Sequence, residues 1–217
     1  MDKKYAIFDM DGVLVDSMEV WEKLPVEFLE KKGVHEVGGE ILEKVRTLML
    51  SESAALFVRE FGLSMTPEEA AAEMDAIMAE HYRCDIGPKK GVKHYLEALE
   101  AGGVRMCVAS ATPEHLAESC LKRLGIRGFF QFLLSCETVG AGKSSPEIYL
   151  TAAARLGSRP EETAVYEDTP GPLKTAKKAG FHTVAVCDGA SAAFWESMKE
   201  TADESLPEYP QGQRDFR

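Results

Sequence analysis

At 217 residues, 45% hydrophobic and 28% charged, the chain can bury a full core and hold one domain with a modest insertion. Its 36 acidic and 25 basic residues leave a net charge of −11, which argues against nucleic acid or an anionic membrane as partner, since both demand a basic face. No apolar run approaches the roughly 20 residues of a membrane span. The N-terminus runs straight into a strand without a signal peptide, and Cys84, Cys107, Cys120, Cys136 and Cys187 show no Cys-x-x-Cys spacing, so a cytoplasmic protein with reduced thiols is expected.

The first element is a short apolar run, Ala6-Ile7-Phe8, that reads as a buried strand ending in Asp9-Met10-Asp11-Gly12. Alternation along a strand predicts that Asp9 and Asp11 point to one side, with Gly12 turning the chain. Two carboxylates so close repel each other, and the usual remedy is a hard divalent cation, typically magnesium. A solvated strand end with Asp-Gly as a mere turn is the plain alternative, and the residues downstream argue against it.

From Met18 to Arg83 only helical periodicities appear. Trp21, Leu24 and Phe28 share one face, and Ala70, Met74, Ile77, Met78 and Tyr82 another. Thr66 before Pro67-Glu68-Glu69 is a helix start, with Thr as N-cap and Pro at the first helical position. From Gly91 the pattern alternates: helix 91–101, strand 104–109, helix 113–124, strand 130–135, helix 145–157, strand 162–167, helix 170–180, strand 182–187 and helix 191–201. Such alternation predicts an α/β fold, a doubly wound parallel sheet covered on both faces. The expected division is a core of residues 1–15 and 89–202, a helical insertion over 16–88 after the first strand, and a poorly ordered tail over 203–217, where Pro207 and Pro210 fall.

Three further pieces sit where a phosphate site needs them. Ser110-Ala111-Thr112 follows the second strand and precedes a helix, so a hydroxyl and free N–H groups form an anion seat. Gly142-Lys143 places one ammonium before the helix that Pro146 initiates. Glu167-Asp168 ends the strand Ala164-Val165-Tyr166. Ligands of such sheets bind beyond the carboxyl ends of the strands, and the ordered set describes a metal-assisted phosphoryl site.

This set resembles the haloacid dehalogenase superfamily, and within it the beta-phosphoglucomutase-like phosphatases, over about Lys4 to Val186. The stretch from Phe8 to Ser17 is similar to the family's first motif, Ser110-Ala111-Thr112 to the second, Gly142-Lys143 with Pro146 to the third, and Glu167-Asp168 to the fourth. The resemblance implies a Rossmann-like core with a mobile helical cap. It implies Asp9 as nucleophile, Asp11 as acid and base, and Ser110, the Ala111 backbone and Lys143 as holders of the phosphoryl group. Magnesium would be held by Asp9, Asp168 and the Asp11 carbonyl, with Glu167 as a further ligand or as an acceptor behind the ligands.

A carboxylate at Asp11 resembles the phosphomonoesterases and phosphomutases, because a leaving alkoxide needs a proton. The implied partner is therefore a small phosphorylated metabolite. Two departures favour phosphatase over mutase: Trp21 stands where the sugar-phosphate mutases place a His, and Thr47-Leu48-Met49-Leu50 lacks their Gly and Arg, with Arg46 nearby. Another is Pro172 in place of the usual Gly after the acidic pair. A receiver domain would leave residues 16–88 unexplained, and a silent binding protein would have lost Asp9 or Asp11. The five scattered histidines show no metal spacing, and the sequence carries no signal for oligomeric state.

Overall fold

The computed structural model describes residues 3–45, 48 and 50–210. Arg46, Thr47 and Met49, which bear on the mutase comparison, lie outside the described residues, as do residues 211–217 of the expected tail. The chain forms two compact units, one built from the segments up to Ser17 and from Ile86 onward, the other from Met18–Asp85.

The first unit is a six-stranded, wholly parallel sheet. Its strands are β1 (Tyr5–Phe8), β2 (Arg105–Ser110), β3 (Phe130–Ser135), β4 (Thr163–Glu167), β5 (His182–Val186) and β6 (Glu204–Leu206), in the order β3-β2-β1-β4-β5-β6. The β1 residues Ala6, Ile7 and Phe8 are fully buried, as the central strand of a sheet covered on both faces requires. Ile7 packs with Cys107, Ala109 and Val165 from its neighbours and with Ile148, Tyr149 and Ala152 from a helix. Phe8 stacks on Tyr166 at 4.1 Å between ring centroids. Strand order runs outward from β1 to β3, then returns to the other side of β1 with β4, so the reversal falls between the carboxyl ends of β1 and β4. That is where ligands bind in doubly wound sheets.

The second unit holds α1 (Met18–Lys31), α2 (Gly39–Val45), α3 (Leu50–Phe61) and α4 (Pro67–Cys84). The start of α4 is the predicted one: Thr66 Oγ1 accepts from Glu69 N–H at 3.2 Å while Glu69 Oε2 accepts from Thr66 N–H at 2.8 Å. Ala70, Met74, Ile77, Met78 and Tyr82 form its buried face, and Phe28 of α1 stacks on Phe57 of α3. His81 bridges Glu27 and Asp85 at 2.8 Å each, a structural role. Among the described residues no helix is long and apolar enough to cross a membrane.

The sheet's connections are α5 (Val92–Ala101), α6 (Glu114–Arg123), α7 (Cys136–Val139), α8 (Glu147–Leu156), α9 (Pro170–Lys178) and α10 (Trp195–Thr201). Pro172 falls in the first turn of α9, where its missing N–H costs nothing. The predicted helix over 191–201 divides into a 3₁₀ turn, Ala192–Phe194, and α10, a common form of helix entry.

The expected tail needs correction. Residues 204–206 pair with β5 as an edge strand, and Asp203 accepts from the Thr183 N–H at 2.8 Å. Pro207 and Pro210 follow this strand and do not interrupt it, a placement that an edge tolerates. Tyr209 is 2% exposed and its hydroxyl donates to the Val13 carbonyl at 2.9 Å. Gly91, at φ +84, makes room for it: a Cβ there would meet the Tyr209 carbonyl at 2.8 Å. Tyr209→Phe leaves the buried Val13 carbonyl without this donor and is expected to cost about 1–3 kcal/mol. Urea unfolding measures it as a lower midpoint at unchanged slope, and an unchanged midpoint would mean that this hydrogen bond adds nothing to stability.

Candidate active site

The strand β1 stops at Phe8, and a tight loop carries the motif that follows. Asp9 N–H still donates to the Tyr166 carbonyl at 3.0 Å, after which the Met10 carbonyl accepts from the N–H groups of Val13, Leu14 and Val15. Gly12 takes φ +70, the left-handed conformation that favours glycine. Asp11 is therefore placed by a loop, and strand alternation does not govern it. Its carboxylate also has its own partners: Oδ1 accepts from Ser17 Oγ and Oδ2 from Thr112 Oγ1, each at 2.5 Å. The two aspartates thus have separate hydrogen-bond donors, Met10 N–H and Lys143 for Asp9 and two hydroxyls for Asp11.

Asp9 Oδ1 accepts from Met10 N–H at 2.7 Å and faces Lys143 Nζ at 2.5 Å. The same ammonium donates to Glu167 Oε1 at 2.8 Å, an oxygen that Tyr149 Oη also reaches at 2.7 Å. Lys143 lies in the loop before α8, Tyr149 in the first turns of that helix, and Glu167 ends β4, so three connections meet on one charge. Burial opposes the Lys143 charge, but the Asp9 and Glu167 carboxylates outweigh it and raise its pKa. Burial and then the Glu167 charge push the Tyr149 hydroxyl up, keeping it a donor.

Burial, and then the charge of Asp9, push Glu167 well above the usual carboxylate range. Asp168 is pushed up to about 8 by burial first, then by the charges of Asp9 and Asp188. Each of Asp9, Glu167 and Asp168 offers one oxygen, and these lie within 4.8 Å of one another. Glu167 Oε2 and Asp168 Oδ2 are buried with no hydrogen-bond partner among the described residues. Buried, orphaned carboxylate oxygens facing a third carboxylate, with one ammonium among them, fit a hard divalent cation that takes oxygen ligands. The Asp11 side chain stands outside this group.

Ser110 ends β2 and is 2% exposed, with its Oγ accepting from Thr112 N–H at 3.0 Å. Exposed Ala111 lies between them, and the turn leads into α6. Thr112, through its bond to Asp11, ties this turn to the loop after β1. Of the predicted residues, Asp9, Lys143 and Asp168 converge with Glu167, while Ser110 and Ala111 lie on the adjoining Thr112 turn, to which Asp11 is bonded from the loop after β1. Sequence reasoning missed Tyr149, Ser17 and the Thr112 hydroxyl. No sequence signal marks the first, whose contact with Glu167 joins residues 18 positions apart.

The arrangement has relatives. The chain is 29% identical over 84% of its length to a validoxylamine A 7'-phosphate phosphatase of Streptomyces hygroscopicus subsp. limoneus, covering 85% of that protein. It is 28% identical to a phosphorylated carbohydrates phosphatase of Thermotoga maritima, over 82% of both chains. The fold matches the crystal structure of a putative beta-phosphoglucomutase from Thermotoga maritima with a TM-score of 0.79, covering 96% of this chain and 95% of that one at 23% identity. The family model for haloacid dehalogenase-like hydrolases matches residues 6–186, from within β1 to the end of β5. All the carboxylates of the cluster, Lys143 and the Thr112 turn fall inside that match, and the chain belongs to the haloacid dehalogenase-like hydrolase family.

Proposed function

We propose that this hydrolase is a magnesium-dependent phosphatase of small phosphomonoesters that works through an aspartyl-phosphate on Asp9. The observation that carries the reading is the Asp9 carboxylate, held through Oδ1 by Lys143 and the Met10 N–H where three carboxylates converge. Both bonds engage one oxygen, so Oδ2 is the oxygen left for phosphorus. Asp9, Glu167 and Asp168 would hold the ion, with the Asp11 carbonyl as the expected further ligand. Magnesium, when bound, would neutralise phosphoryl charge and polarise the phosphorus.

Asp9 Oδ2 forms a bond to phosphorus as the ester P–O bond breaks, and the electron pair leaves on the alkoxide oxygen. Asp11, oriented by Ser17 and Thr112, gives that oxygen its proton. Water then attacks the phosphorus, its proton passes to Asp11, and the bond to Asp9 breaks to release inorganic phosphate. Lys143 bears on the Asp9 charge during the approach of the anionic ester, and Ser110 with the Ala111 N–H holds phosphoryl oxygens. The relatives named for phosphorylated carbohydrates favour a sugar-like alcohol as leaving group. Trp21 stands where the sugar-phosphate mutases place a His, a departure that favours hydrolysis over phosphoryl return.

Asp9→Asn is expected to abolish magnesium-dependent release of phosphate from a sugar-phosphate panel, because the amide is neither nucleophile nor anionic ligand. Wild-type turnover in that variant would refute the mechanism. Asp11→Asn is expected to slow sugar phosphates by about 10²–10⁴-fold and p-nitrophenyl phosphate far less, since that leaving group needs little protonation. Equal losses would remove Asp11 from the acid role. The helical insertion belongs to the same proposal as a mobile cap that excludes water. Beryllium fluoride with magnesium, which mimics phosphorylated Asp9, should then shrink the radius of gyration in small-angle scattering, and identical profiles would contradict a cap.

A further inference from the structure

The proposed chemistry leaves one buried carboxylate at the acidic edge unused. Asp188 lies just beyond β5, the strand next to β4, and is 7% exposed. Both its oxygens are engaged: Oδ2 accepts from Lys89 Nζ at 2.5 Å, and Oδ1 from Ala190 N–H at 2.9 Å. Glu167 pairs with Ala185 across β4 and β5, so Asp188 lies beyond the same edge of the sheet as Asp168, whose pKa its charge helps raise after burial and Asp9.

Lys89 is rooted in a ribbon made by the two segments that lead into and out of the helical insertion. Its N–H donates to the Leu14 carbonyl at 2.9 Å, Asp16 N–H donates to the Gly87 carbonyl at 3.0 Å, and Val15 bridges Pro88 in antiparallel fashion. The ammonium also lies 3.4 Å from Asp16, but that side chain is 57% exposed, and such a contact contributes little. The Asp188 contact is different in kind, because Asp188 is buried and the Lys89 side chain is 13% exposed, so removing the ammonium leaves a buried charge uncompensated. Lys143 thus serves Asp9 and Glu167, Lys89 serves Asp188, and Asp168 Oδ2 is left without a hydrogen-bond partner among the described residues.

We propose that Lys89 is a positioning residue of the cation site: by neutralising Asp188 and holding it in place, it keeps this carboxylate out of the site and sets the affinity of the remaining three for a divalent cation. The inference rests on reading the edge as a magnesium site and adds a residue that acts on it through Asp188.

The test is the dissociation constant of magnesium, measured by calorimetry on the full chain without ester. Lys89→Met frees the Asp188 charge and should tighten binding about three- to tenfold, the scale of one added charge acting through a well-screened medium. Asp188→Asn removes that charge and should weaken binding by a similar factor, while Lys89→Met with Asp188→Asn should return to within about twofold of the unaltered chain, and Lys89→Arg should match it. A purely structural role would weaken binding in both single variants. If Lys89→Met does not fold, weaker binding in Asp188→Asn and recovery in the double variant still decide the matter. Unchanged affinity in the single variants, or weakening in both, overturns this inference and leaves the magnesium reading standing. Absence of magnesium binding by the unaltered chain overturns both.

Discussion

Lys143 sits between Asp9 and Glu167, 2.5 Å from one and 2.8 Å from the other, with its side chain 10% exposed. Taking an ammonium and two carboxylates out of water costs several kcal/mol per ion, and close pairing with well-placed hydrogen bonds is what offsets it. Tyr149 and the Met10 N–H supply those additional bonds. The ends of β1 and β4 and the start of α8 are held through this one charge, so geometry and reactivity at the edge depend on it together. Glu167 Oε2 and Asp168 Oδ2 stay buried beside it with no hydrogen-bond partner among the described residues.

Such a concentration of charge is possible only because the sheet reverses its order at β1. The reversal puts the carboxyl ends of β1 and β4 side by side with no helix between them, and the Phe8–Tyr166 stack beneath keeps both strands in register. Aromatic and aliphatic side chains therefore form a dry floor, on which electrostatic interactions are stronger than in water. Asp11 stands aside from the crowded cluster, held by two hydroxyls in a loop that Gly12 turns.

Much of this was legible from local pattern. Continuous apolar runs such as Ala6-Ile7-Phe8 and Ala164-Val165-Tyr166 identify buried strands, and the acidic residues that end them fall at the ligand-binding edge by topology alone. The α4 helix was readable from its Thr66 cap and its apolar face. What escaped was either short or tertiary. The strand β6 has three residues, too few for alternation to register, and the prolines after it resembled a tail. The one-turn helix α7 rests on Ser135 accepting from the Thr138 N–H, a bond that composition does not announce. Tyr149, Ser17, Thr112 and the Lys89–Asp188 pair act through contacts made by folding, between residues up to 101 positions apart.

Trapping the phosphorylated chain tests the central claim most directly. Turnover of a phosphorus-labelled sugar phosphate with magnesium, quenched in acid within milliseconds and mapped by peptide mass spectrometry, should place the phosphoryl group on Asp9. Label on another residue, or none at a time when phosphate release is under way, would contradict the account.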